Sequence, residues 1–75
     1  MGIPKEEIRD RNIFIDHDFE EVMFRYESSA RRFFRKFYGE SKENEVSYDN
    51  RLLNDAILFG EETDETTYRN GKQKI

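Results

Sequence analysis

The chain has 75 residues, with 13 Lys and Arg against 17 Asp and Glu for a net charge of −4, and no cysteine. That length allows one small domain, spanning residues 1–75. The missing cysteines exclude disulfides and cysteine-held zinc as stabilisers, and the acidic balance argues against a general polyanion binder. Aromatic residues make up 15%, and aromatics are scarce in disordered chains, so a folded core is required. No apolar run reads as a signal peptide or a membrane span, so a cytoplasmic protein without membrane association is expected.

Pro4 suits a first helical position, and Glu6 and Glu7 favour the positive end of a helix dipole. One or two helical turns over residues 4–10 are therefore expected as a short N-terminal segment. Asn12–Ile15 (NIFI) has strand-forming composition but is very short. Asp16-His17-Asp18, followed by Glu20 and Glu21, superficially suggests a metal cluster. Acids also gather at helix N-termini because free N–H groups favour negative charge there, and that reading is preferred, with no metal and no cofactor.

A long helix is predicted from about Phe19 to Tyr38. Asp18 and Glu21 form a capping-box-like start, and Gly39 is the residue type favoured just past a helix end. At 100° per residue, Phe19, Val22, Met23, Tyr26, Ala30, Phe33, Phe34 and Phe37 fall on one stripe. The stretch ARRFFRKFY then divides into a buried aromatic face and a basic one. On that helix Arg25, Arg32 and Lys36 line one edge, Arg31 and Arg35 the other, and Phe24 projects off the apolar stripe among cations.

The polar GESKENEV reads as a connection to a second helix from about Tyr48 to Phe59, capped by Ser47 and ended by Gly60. Two helices so joined make an antiparallel hairpin. The acidic run EETDET at 61–66 reads as a solvated linker opening a flexible tail over 61–75. Within that tail Asn70-Gly71 is a type I′ turn dipeptide that offers a C-terminal β-hairpin, with NIFI available as a third strand.

The expected fold class is thus mostly α, a small helical hairpin. Its apolar faces exceed what one helix–helix contact covers, which predicts a homodimer or docking on a larger protein. No glycine-rich phosphate loop or nucleophile context is present, and the only histidine is His17, so an enzyme is not expected. The function expected is a non-enzymatic protein–protein interaction module, such as a regulator, inhibitor or accessory subunit. Its contact residues would be Phe24, Arg25, Arg31, Arg32, Arg35 and Lys36, since aromatics and arginine are enriched at binding hot spots. The alternative is a nucleic-acid binder using the same basic face, with rings stacking on bases.

Overall fold

The structure, a computed structural model, describes residues 11–73. It is built on a sheet rather than a helical hairpin. In chain order the elements are β1 (Ile13–His17), a 3-10 turn (Asp18–Glu20), β2 (Val22–Glu27), β3 (Arg32–Phe37), β4 (Asn44–Val46), α1 (Arg51–Phe59), β5 (Glu61–Thr63) and α2 (Glu65–Asn70). The five strands form one antiparallel sheet in the order β4-β3-β2-β1-β5.

The long helix expected over 19–38 is therefore corrected to a turn and a β-hairpin. Register explains how the residues divide. Ile15 pairs with Phe24 and Phe24 with Arg35, while Ile13 pairs with Tyr26 and Tyr26 with Phe33. Side chains alternate across a strand, so Ile13, Ile15, His17, Val22, Phe24, Tyr26, Phe33, Arg35 and Phe37 share one face. On the other face stand Phe14, Asp16, Met23, Arg25, Phe34 and Lys36.

Helix α1 covers the first face. Leu53, Ala56 and Ile57 join Ile13, Ile15, Val22, Phe24, Tyr26 and Phe33 in the main core, with Phe37, Val46 and Leu52 packed against it. Burying each large aliphatic or aromatic side chain of this set stabilises the fold by about 1.5–3 kcal/mol. Helix α2 covers part of the second face, where Tyr68 meets Met23, Tyr38 and Phe14. The two helices thus lie on opposite sides of the sheet.

The second predicted helix is present but begins later, with Asn50 as its cap; the Asn50 side chain accepts from the Leu53 amide at 2.9 Å. Within the segment expected as linker and tail, residues 61–63 form β5 and 65–70 form α2. EETDET supplies β5 and then the cap of α2, where Asp64 accepts from the Thr67 amide at 2.8 Å. Asn70-Gly71 does not form a hairpin turn. Gly71, at φ 75°, closes α2 instead, its amide donating to the Thr67 carbonyl at 3.0 Å. NIFI does contribute to a strand, β1, but one paired with β2 and β5. The turns expected over residues 4–10 lie outside the described residues. Among the described residues no helix is long and apolar enough to cross a membrane.

Candidate partner-binding site

The six residues singled out from the basic stretch do not stand together. Phe24 is fully buried in the main core, because strand alternation points it under α1. It is not an exposed anchor. Lys36 is buried on the opposite face, and its Nζ donates to the carbonyls of Tyr68 and Arg69 at 3.0 and 2.9 Å. Those are last-turn carbonyls of α2, where a cation is favoured by the helix dipole.

Arg25 lies over the Phe34 ring, 4.1 Å from its centroid, and donates to both Glu43 oxygens at 2.8 Å and to Glu27 at 3.0 Å. The bond to Glu43 raises the Arg25 pKa and holds the Glu43 carboxyl below the usual range. Tyr68 completes the network by donating its hydroxyl to Glu43 at 2.7 Å. Arg35 is half-buried over the Phe37 ring, 4.9 Å from its centroid. Only Arg31 and Arg32 remain exposed, at the β2–β3 turn, where Arg32 reaches Glu45 at 3.4 Å. Alternation has divided these cations between two faces, three of them enclosed by the fold, so they form no continuous basic face.

A different surface collects exposed aromatic rings and carboxylates. The turn after β1 is tight: the Glu21 amide donates to the Asp18 carbonyl at 3.0 Å, and Glu21 takes a left-handed backbone at φ 53°. This turn pushes Phe19 outward until it is 88% exposed. The last turn of α1 stands beside it with Asp55 and Phe59, and Phe59 is 69% exposed. Gly60 then carries the chain into β5, which begins with Glu61.

Asp16, His17, Asp18, Phe19, Glu20, Asp55, Phe59 and Glu61 line one open cavity of about 550 Å³. Tyr38 donates its hydroxyl to Asp16 and to Asp18, and Lys72 pairs with the second Asp16 oxygen. Burial and these carboxylates push the Tyr38 pKa up. The hydrogen bond that Lys72 donates to Asp16 likewise raises the Lys72 pKa.

His17 and Glu21 do not present the one-turn helical spacing that would aim both at one ion, since His17 ends a strand and Glu21 sits in the turn. Among the described residues, no three histidine or carboxylate groups are disposed to hold one metal ion. The cavity escaped sequence reading because its parts come from three separated segments. The legible signal was Phe19 itself, an aromatic residue within an acidic turn.

This sheet, with α1 and α2 on its two faces, has a counterpart among solved structures. A chain in the crystal structure of the complex between the type VI effector Tas1 and its immunity protein superposes with a TM-score of 0.92 at 41% identity, covering 97% of this chain and 99% of that one. The immune protein Tis1 of Pseudomonas aeruginosa (strain UCBPP-PA14) is 42% identical over 76 residues, 99% of each protein. A family model described as Tis1 immunity protein matches residues 1–72. With near-complete coverage in all three comparisons, the chain belongs to the Tis1 immunity protein family.

Proposed function

We propose that this protein is an immunity protein that binds a type VI effector of the Tas1 kind and neutralises it by contact, with no catalysis of its own. The observation that carries this reading is the likeness, over nearly the whole chain, to a protein crystallised with its effector. The surface that suits such contact is the end of the sheet carrying Phe19, Leu58 and Phe59, three of the four large hydrophobic residues left exposed among the described residues. A central aromatic anchor in an interface commonly contributes about 2 kcal/mol or more.

The test is co-expression of the cognate effector in a sensitive host, with co-purification of the complex as second readout. The parent protein is expected to protect and to co-elute with the effector. The double variant Phe19→Ala/Phe59→Ala is expected to stay folded and to lose both properties, whereas Lys42→Ala and Arg51→Ala keep them. A folded parent that neither protects nor binds would sink the proposal. Replacement of Arg31 and Arg32, at the opposite end of the sheet, serves as the competing arm. If that pair abolished binding and the phenylalanine pair did not, the interface would lie at the β2–β3 turn.

A further inference from the structure

We propose that the cavity between Phe19 and Phe59 is a socket for a single arginine side chain of the bound effector. This deepens the effector-binding reading above and rests on it. Three independent features of the cavity define the occupant.

The first is its floor. His17 is only 6% exposed, lines the cavity, and makes no side-chain hydrogen bond among the described residues. Buried polar groups are nearly always paired. Neither imidazole nitrogen is both sealed from solvent and unsatisfied, so each keeps some contact with solvent, and the residue lines this cavity. An imidazole nitrogen without a proton there accepts a hydrogen bond from a donor that enters from outside.

The second feature is the rim. The Asp55 and Glu20 carboxylates make no hydrogen bond or ion pair among the described residues. Asp18 and Glu61 add further negative charge at the same mouth. An anionic occupant is repelled by this ring, and a purely apolar one would strip water from carboxylates without replacing it.

The third feature is the walls. Two phenylalanine rings in a folded protein are normally covered, yet Phe19 and Phe59 are 88% and 69% exposed. Aromatic faces attract cations, and guanidinium more than ammonium because it is planar, weakly hydrated and able to stack while its edges donate. A lysine would meet the charge but not use the ring faces together with several acceptors.

The protein already contains this arrangement internally. Arg25 stacks on Phe34 at 4.1 Å while donating in two-pronged fashion to Glu43. The open cavity offers the same components, ring and carboxylate, without the arginine.

Two measurements decide the matter. In the first, the full-length protein is titrated with acetyl-arginine methylamide, acetyl-lysine methylamide and acetyl-norleucine methylamide, and backbone amide chemical shifts are followed by NMR. The arginine probe is expected to move His17, Phe19, Asp55 and Phe59 selectively, and to move them less in Asp55→Asn/Glu20→Gln. Equal shifts from the norleucine probe, or none from arginine, overturn the socket. In the second, affinity for the purified effector is measured by calorimetry against salt. Asp55→Asn/Glu20→Gln is expected to weaken binding on the order of tenfold and to flatten its salt dependence, as loss of an interfacial charge contact does. Effector affinity unchanged by that pair overturns the arginine, even where the probe binds. If the parent fails to bind effector at all, the effector-binding reading falls, and the NMR result then reports on the cavity alone.

Discussion

Arg31 holds a left-handed backbone, φ 54°, at the turn between β2 and β3. Residues with a Cβ pay about 1–2 kcal/mol for that conformation, and glycine does not. The segment ESSARR contains neither glycine nor proline, so nothing in its composition marks a reversal of the chain. The hairpin is therefore not legible in the sequence, whose apolar spacing also fits a continuous helix. Arg31 is exposed, so its side chain adds little to offset the backbone cost. Arg31→Gly is therefore expected to stabilise the fold by about 1 kcal/mol, less the extra entropy glycine gives the unfolded chain. Thermal unfolding checks it, and a lowered midpoint would show that the Arg31 side chain makes a contribution larger than its exposure indicates.

At the scale of elements, the error over residues 19–38 has a definite cause. A strand covered on one face shows alternating apolar and polar residues, but a strand covered on both faces loses that contrast. Met23 and Phe34 face one way, and Val22, Phe24 and Phe33 the other. The aromatic positions then satisfy a helical stripe by accident. Where only one face is buried the helical period shows: α1 carries Leu53, Ala56 and Ile57 inward and Leu58 outward, and Gly60 follows it, but Phe59, which the same period counts with the apolar face, is 69% exposed. Gly60 does more than stop a helix. A Cβ there would lie 2.6 Å from the Ala56 carbonyl oxygen and 2.8 Å from Ile15 Cγ2, because the end of α1 presses directly on β1. Gly60→Ala is expected to destabilise by about 1–3 kcal/mol through overpacking. Leu58→Ala, two residues away but largely exposed, should stay within about 0.5 kcal/mol. Denaturant midpoints of the two variants make the comparison, and equal values would mean that α1 yields at its end rather than holding β1.

For the whole molecule, the side of the sheet under α2 is held as much by charge as by apolar packing. Its cluster is small, Met23, Tyr38 and Tyr68 with Phe14 against them. Around that cluster lie the Lys36 contacts to the end of α2, the Arg25–Glu43–Tyr68 network and the Tyr38–Asp16–Lys72 chain. Protonation therefore acts on folding from both ends of the pH scale. The Glu43 pKa is lowered, chiefly by the Arg25 hydrogen bond. Its contribution is present above the unfolded carboxylate value, about 4.3, and is lost as pH falls through the lower folded value. Tyr68 and Tyr38 shift the other way, both raised chiefly by burial and then by hydrogen bonds to Glu43 and Asp16. Their contribution is complete below the unfolded tyrosine value, about 10, and is lost as pH rises toward the folded values. Lys72, also raised, loses its contribution in the same alkaline direction. The midpoint of thermal unfolding is accordingly expected to be flat from about pH 5 to 9 and to fall on both sides. Tyr68→Phe removes one ionising group and should shallow the alkaline fall while lowering the plateau, because Glu43 loses a donor. Arg25→Gln should instead shallow the acid fall, since the carboxyl is then no longer held down by a guanidinium. A parent whose alkaline fall is unchanged by Tyr68→Phe, measured across pH 8 to 11 in matched buffers, would show that burial of that hydroxyl under α2 does not govern the stability of this face.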